Sequence, residues 1–284
     1  MLLPHTETLI ELALTEDLPG GDVTSRAIFG PDHRSTAFIE ARNTLCVCGT
    51  DVAVEVFRRV NPDLVVTKHV SDGTLVATGD RVISVSGATA DILACERTAL
   101  NFLQHLSGVA TMAHHFSLAA RGHKSWRGHD VRIVDTRKTI PGYRSLEKYA
   151  VRVGGCFNHR SSLSEQVMIK NNHIAAAGSI QAAVTSARHH APHGSKIEVE
   201  VESLPEVEQA LAAGAEVIML DNMQPAGISE AVALIAGRAL VEVSGGITFQ
   251  NLHQYLPLKA DIISVGALTH SVKAADLSLT LNPV

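Results

Sequence analysis

Residues 197–222 read IEVEVESLPEVEQALAAGAEVIMLDN, two short apolar runs at 197–201 and 216–220 flanking a helix-length segment. The alternation continues in both directions, with apolar runs at 131–135 and 167–170 before it and at 240–243 and 261–265 after it. Starts at 197, 216, 240 and 261 recur at intervals of about twenty residues, the length of a compact strand–loop–helix–loop unit. Parallel strands joined by helices must close into a barrel or open into a doubly wound sheet. The open sheet gathers its chemistry at one switch point, whereas a barrel presents it at every strand end. Here no G-x-G-x-x-G follows the first run and polar residues end nearly every run, so the pattern predicts an α/β barrel.

The preceding residues lack this repeat and predict a separate domain. Leu9, Leu12, Ala13 and Leu14 give a first helix an apolar stripe, and the turn-rich 16–22 ends it. Strand-like pieces at 37–41, 45–48, 64–69 and 82–85 surround a helix at 50–60. A long helical pattern from Asp91 to Ala120 carries Leu93, Leu100, Leu103, Leu106 and Val109, with Ser107-Gly108 a point where it bends or divides. Its Asn101, Gln104, His105, His114 and His115 exclude a membrane span. The expected division is an α+β domain at 1–109 and the barrel at 110–270, with segment 271–284 a candidate to pack against the first.

The 284 residues are 45% hydrophobic and 19% charged, which excludes disordered and fibrous classes. A net charge of -5 argues against a nucleic-acid or anionic-membrane binder and directs the search to a pocket. Cys46, Cys48, Cys95 and Cys156 contain no C-x-x-C pair and read as reduced packing residues. Met1–His5 has no basic region followed by an apolar stretch, so a cytoplasmic protein is expected.

Reading the run ends gives Asp135-Thr136-Arg137-Lys138-Thr139, Lys170-Asn171-Asn172-His173, Glu200 and Glu202, Asp221-Asn222, Ser244-Gly245-Gly246, and Gly266. Each alone reads as a cap or a solvated loop start, but a barrel brings the set around one mouth. Residues 131–173 hold eight Lys and Arg (Arg132, Arg137, Lys138, Arg144, Lys148, Arg152, Arg160, Lys170) against Asp135, Glu147 and Glu165. A positive island in an acidic chain suits a small polyanion, with Arg forking onto carboxylates and phosphates and Lys acting as a point charge. Arg144, Lys148 and Arg152 read as a solvated helix face, whereas Arg137, Lys138, Arg160 and Lys170 fall at strand or loop positions.

Glu198, Glu200 and Glu202 share one face of a regular strand, so cationic side chains or a hydrated divalent cation must neutralise those that point inward. Glu200 with Asp221 forms a candidate Mg2+ pair. Ser244-Gly245-Gly246 and Gly266 suit phosphate binding, helped by a helix expected to start near Thr248, although tight turns explain the glycines equally well. None of the fifteen histidines forms a zinc set, and His159 stands apart because it adjoins Arg160 in the basic island.

At these residues the chain resembles the quinolinate phosphoribosyltransferase family. The stretches that carry the resemblance are Glu16-Asp17 with Gly21-Asp22-Val23-Thr24, ERTALNFLQHLSGVAT (96–111), DTRKTIPGYR (135–144), KYAVRVGGCFNHR (148–160), VMIKNNHI (167–174), IEVEVES (197–203), IMLDN (218–222), VEVSGGI (241–247) and ISVGALTHS (263–271). It implies an N-terminal α+β sandwich domain and an incomplete TIM-like α/β barrel, in a homodimer whose barrel mouths are covered by the partner's N-terminal domain. The implied reaction transfers phosphoribosyl from phosphoribosyl pyrophosphate to quinolinate with decarboxylation, giving nicotinate mononucleotide for NAD biosynthesis.

Roles follow by position. Arg97 resembles the arginine that reaches across the dimer. Arg137, Lys138, His159, Arg160 and Lys170 resemble the cluster that binds the quinolinate carboxylates and the phosphates. Glu200 and Asp221 resemble the carboxylates near the ribose hydroxyls and Mg2+, and Ser244, Gly245, Gly246 and Gly266 the loops that hold the 5-phosphate. Lys138, Lys170, Glu200 and Asp221 are the expected catalytic residues. Two departures stand out: Ser-Ser-Leu-Ser-Glu-Gln follows Arg160 where the family more often has Gly-Leu and then Asp, and Asn171 replaces a common acid. Two other readings stay open, a Schiff-base lyase using Lys138 or Lys170 and a molybdenum-transport accessory relative of the same fold.

Overall fold

The structure is a computed structural model describing residues 4–283, so the reading of Met1–Leu3 and the last residue of segment 271–284 lie outside the described residues. In chain order come α1 (Pro4–Asp17), α2 (Val23–Ile28), β1 (Arg34–Ala41), β2 (Leu45–Cys46), α3 (Thr50–Val60), β3 (Val65–Lys68), β4 (Leu75–Val76), β5 (Arg81–Ala88) and α4 (Thr89–Ala120). There follow β6 (Arg132–Val134), α5 (Arg144–Val153), β7 (Val167–Ile169), α6 (Asn171–Ala177), α7 (Ile180–His190), β8 (Ile197–Val201), α8 (Leu204–Ala212), β9 (Val217–Asp221), α9 (Pro225–Ile235), β10 (Leu240–Ser244), β11 (Ile262–Ser264), α10 (Ala267–His270) and β12 (Leu277–Pro283). Two compact units divide these elements, one running up to His114 with Pro141–Gly155 and the segment from Val272, the other comprising His115–Ile140 and Cys156–Ser271.

The first unit is built on an antiparallel sheet in the order β12-β1-β5-β3. Alternate residues Ser35, Ala37, Ile39 and Ala41 of β1 are buried, the two-residue period of a sheet with one dry face. β12 pairs with β1 from Ala41↔Leu277 onward, so the C-terminal segment joins this unit as an edge strand. Thr6, Ile10 and Leu14 form the buried stripe of α1 at i, i+4 spacing, while Leu12, expected within the stripe, is exposed.

Helix α4 is not divided at Ser107-Gly108. A Cβ on Gly108 would lie 2.4 Å from the carbonyl oxygen of Lys273, so glycine is there for close packing rather than to break the helix. Helix α5 corrects another expectation, because Lys148 is buried rather than solvated, beside the fully buried Glu147, whose Oε1 lies 2.8 Å from His105 Nε2. Arg152 is exposed, as a solvated face requires, and Arg144 is half-buried.

The second unit is a six-stranded parallel sheet in the order β6-β11-β10-β9-β8-β7, and among the described residues no ladder pairs β6 with β7. The strands are consecutive β/α units laid side by side, giving an incomplete barrel. Ile197, Val199 and Val201 of β8, Ile218 and Leu220 of β9 and Val243 of β10 are fully buried, as strands covered on both faces require. Among the described residues Cys46, Cys48, Cys95 and Cys156 are buried and form no disulfide, with burial pushing the Cys46 thiol up to about 11. Among the described residues no helix is long and apolar enough to cross a membrane.

Candidate active site

Side chains alternate across a strand, so every second residue of β7 to β11 faces the same way. Met168 and Lys170, Glu200, Met219 and Asp221, Glu242 and Ser244, and Ser264 thereby line one cavity of about 360 Å³ at the strand ends. The loop after β6 adds Thr136, Arg137 and Lys138, and the loop before β7 adds His159 and Arg160. Four of the eight island cations therefore converge on the cavity. Arg144, Lys148 and Arg152 lie on α5 in the other unit, and Arg132 is exposed with its guanidinium 5.3 Å from the Phe157 ring.

Asp135 organises the basic wall without facing solvent. Fully buried, it accepts from Asn158 Nδ2 at 2.6 Å and from the His159 amide at 2.9 Å, which fastens the Asn158-His159-Arg160 segment to the end of β6. The next turn is held by the Lys138 amide donating to Thr136 Oγ1 at 3.0 Å and by Thr269 Oγ1 donating to the Lys138 carbonyl at 2.8 Å. Gly266 sits beside this turn, where a Cβ would lie 3.2 Å from Lys138 Cδ. Arg137 Nε is buried with no acceptor among the described residues, a donor suited to an anion.

Lys170 stands at the N-cap of α6, with its amide donating to His173 Nδ1 at 2.9 Å and its ammonium seated on the Glu200 carboxylate. His173 is thus a backbone brace. Asp221 accepts from Asn222 Nδ2 at 2.7 Å. Glu202, expected on the same strand face as Glu200, lies past the end of β8, is exposed and accepts from Asn171 at 2.6 Å. A carboxamide at 171 therefore donates where an acid would repel.

Arg160 is held at both ends. Its amide donates to His159 Nδ1 at 2.7 Å, Nη1 donates to the Gln166 carbonyl at 2.9 Å, and Nη2 lies 3.5 Å from Met168 Sδ. Burial and then the neighbouring Arg137 lower its pKa, while Glu198 opposes them. His159 Nε2 faces two buried carboxylates, 3.3 Å from Glu242 and 3.5 Å from Glu198. Burial alone lowers the histidine pKa, but these carboxylates outweigh it and raise it to about 10. The Arg160 amide on Nδ1 nevertheless requires that nitrogen to be an acceptor, so the ring proton sits on Nε2 and the remaining proton demand falls on Glu198. Burial raises the Glu198 pKa in agreement.

Ser244 lines the cavity, and Gly245 and Gly246 form the left-handed turn after it, with φ of 102° and 60°. A Cβ on Gly245 would lie 2.3 Å from Asn222 Oδ1, so this glycine lets two strand-end loops meet. The helix expected near Thr248 is absent. Asn251 instead accepts from the Thr248 amide at 2.8 Å and donates to the Gly246 carbonyl at 2.9 Å, closing a turn before a short 3-10 segment at Leu252–Gln254. Arg97 is exposed on α4 in the other unit. Sequence reasoning missed Glu242, Met168 and Met219 as lining residues. A charge inside the apolar run 240–243 was the available signal for the first.

The model of the quinolinate phosphoribosyl transferase N-terminal domain matches residues 22–107, and that of the C-terminal domain residues 109–280. The chain is 40% identical over 264 residues to a probable nicotinate-nucleotide pyrophosphorylase (carboxylating) of Bacillus subtilis, covering 93% of this chain and 89% of that protein. It is 39% identical over 278 residues to the nicotinate-nucleotide pyrophosphorylase (carboxylating) of Mycobacterium leprae, covering 96% and 95% of the two chains. The crystal structure of NadC from Streptococcus pyogenes superposes with a TM-score of 0.92 at 40% identity, covering 100% of this chain and 99% of that one. With both domain models matched in order and relatives aligned nearly end to end, the chain belongs to the quinolinate phosphoribosyltransferase family.

Proposed function

We propose that this protein transfers the phosphoribosyl group of phosphoribosyl pyrophosphate to quinolinate with loss of CO2, yielding nicotinate mononucleotide and pyrophosphate for NAD biosynthesis. The observation that carries this reading is the division of charge in one cavity, with Arg137, Lys138, Arg160 and Lys170 set against Glu200 and Asp221. Quinolinate brings two adjacent carboxylates on an aromatic ring, which match forked arginines and the thioether surface of Met168 and Met219. Phosphoribosyl pyrophosphate brings hydroxyls for Glu200 and Asp221 and a 5-phosphate for the Ser244-Gly245-Gly246 turn and the loop at Gly266.

Transfer needs the pyridine nitrogen held in line with the ribose carbon as pyrophosphate leaves, so positioning is the main task. Glu200 and Asp221 stabilise the positive charge that develops on the ribose. The product ring is a pyridinium, and when the neighbouring carbon–carboxylate bond breaks its electron pair stays on the ring carbon while CO2 departs. Lys138 and Lys170 offset that charge until a proton joins the carbon. Lys170 is paired with Glu200, an arrangement that supplies charge rather than a Schiff-base nucleophile.

Glu200 and Asp221 offer hard carboxylate oxygens at neighbouring strand ends, a donor set that fits Mg2+. Bound there, the ion supplies charge neutralisation for the leaving pyrophosphate. We further propose a homodimer in which the exposed Arg97 serves the partner's cavity, acting in the cytoplasm, where four buried cysteines outside any disulfide are at home. The test is incubation with carboxyl-labelled quinolinate, phosphoribosyl pyrophosphate and Mg2+, with nicotinate as control base. Stoichiometric CO2 and nicotinate mononucleotide from quinolinate alone is expected, and no product from folded protein would overturn the reading.

A further inference from the structure

The segment 161–166 departs from the family pattern, and most of it is a solvated turn. Ser162 and Ser164 hydroxyls bond each other at 2.7 Å, the Ser161 hydroxyl donates to Glu165, and Leu163 is 70% exposed. Gln166 is different. Its side-chain Nε2 donates at 2.7 Å to Oε2 of the fully buried Glu198, and its carbonyl accepts Arg160 Nη1 at 2.9 Å. Glu198 Oε2 also lies 3.5 Å from His159 Nε2, whose Nδ1 accepts the Arg160 amide at 2.7 Å. These contacts close a circuit that leaves the Arg160 backbone, passes through His159, Glu198 and Gln166, and returns to the Arg160 guanidinium.

The circuit has an electrostatic reason. Arg160 is partly buried beside Arg137, and two like charges in one wall push apart unless something fixes them. A backbone carbonyl can fix a guanidinium only if its own loop is fixed, and the Gln166 amide on Glu198 does this. His159, Glu198 and Glu242 also have ligand atoms within 4.8 Å of one another, the spacing of a metal site. The Arg160 amide on Nδ1 places the ring proton on Nε2, the nitrogen that would have to bind the metal, so the cluster is a hydrogen-bonded support instead.

We propose that Gln166 is a positioning residue that holds Arg160 for the carboxylates of the pyridine substrate. The proposal rests on the quinolinate reading of the cavity. Gln166 does not itself line the cavity and acts only through Arg160, so the proposal assigns to it an effect on the dicarboxylate and none on the phosphoribosyl donor, which is read as held by Glu200, Asp221 and the Ser244 turn.

The experiment compares the full-length wild type with Gln166→Ala, Gln166→Glu and the exchange variant Gln166→Glu/Glu198→Gln, varying quinolinate and phosphoribosyl pyrophosphate separately. Gln166→Ala is expected to raise the KM for quinolinate roughly three- to ten-fold, the scale of one ordinary hydrogen bond whose loss reaches the substrate through Arg160. The KM for phosphoribosyl pyrophosphate should stay within about two-fold, since the residues assigned to that substrate are not among those Gln166 holds. Gln166→Glu should do more harm by setting a carboxylate against Glu198, and the exchange variant, which restores one amide and one carboxylate, should recover part of the loss. An unchanged quinolinate KM in folded Gln166→Ala, or equal rises for both substrates, overturns the proposal. If Gln166→Ala does not fold, the Gln166→Glu and exchange pair decides, and no recovery counts against it. A wild type that makes no nicotinate mononucleotide sinks the reading of the site separately. Quinolinate affinity by calorimetry on the same proteins then decides Gln166, with an equal or absent affinity counting against it.

Discussion

His159 Nε2 lies 3.3 Å from Oε2 of the buried Glu242, while Glu198 approaches the same nitrogen at 3.5 Å. One imidazole thus separates two carboxylates that are almost wholly out of water, and Oε1 of each has no hydrogen-bond partner among the described residues. Removing the ring leaves two buried acids facing each other. His159→Ala should therefore destabilise the fold by about 3–5 kcal/mol, read as a drop in the urea midpoint. Glu242→Gln removes one of the two buried acids and keeps an acceptor, so its effect should be below about 1 kcal/mol. Equal losses in the two variants would remove the confrontation of buried acids from the explanation.

Lys138 is exposed at the mouth of the cavity, with its backbone rather than its side chain stapled to Thr269. Truncating the side chain should therefore cost little stability, within about 0.5 kcal/mol. It should lower kcat about 10²- to 10³-fold if the ammonium offsets the carbanion left by CO2. Thermal unfolding and steady-state kinetics on Lys138→Ala read both quantities, and near-normal turnover would take Lys138 out of the mechanism.

The barrel was legible in the sequence because buried parallel strands are almost continuously apolar and end abruptly in polar residues; the run 197–201 coincides with β8. Lys170, Glu200 and Asp221 were legible for the same reason. What local pattern could not show is what depends on remote partners. Gly108 reads as a helix breaker until the Lys273 carbonyl packs against it. Thr248 reads as a helix start until Asn251 bridges it to Gly246. Lys148 reads as solvated because nothing in its own helix reveals that α5, though it follows β6, belongs to the first unit. Gln166 drew notice only as a departure, since its link to Glu198 crosses between elements.

Asp22 caps α2, accepting from the amides of Thr24 at 2.9 Å and Ser25 at 3.0 Å and from the Ser25 hydroxyl. Those bonds, the Ser25 hydroxyl foremost, hold its carboxyl below the ordinary value. A depressed carboxylate stabilises the fold above the unfolded pKa of about 3.9 and loses that contribution as pH falls through the lower folded value. Asp22→Ala should cost about 1 kcal/mol at neutral pH. Asp22→Asn keeps a cap but cannot titrate, so its melting temperature should fall less steeply than wild type on acidification below about pH 4. Parallel acid limbs would show that the cap is not what the proton removes.

Arg97 on α4 and Lys170 at the end of β7 lie in different units, and the proposed dimer pairs the Arg97 of one subunit with the Lys170 of the other. Arg97→Ala and Lys170→Ala homodimers should each be inactive, because every site then lacks one of the two. In a mixed dimer both changes fall on the same shared site, and the second site carries an intact Arg97 and an intact Lys170. Re-equilibrating equal amounts should leave half the dimers mixed, each with one working site of two, so activity should return to about a quarter of wild type. Subunit exchange verified by mass spectrometry with no recovery would mean that Arg97 serves its own chain or neither, and the shared mouth would have to be abandoned.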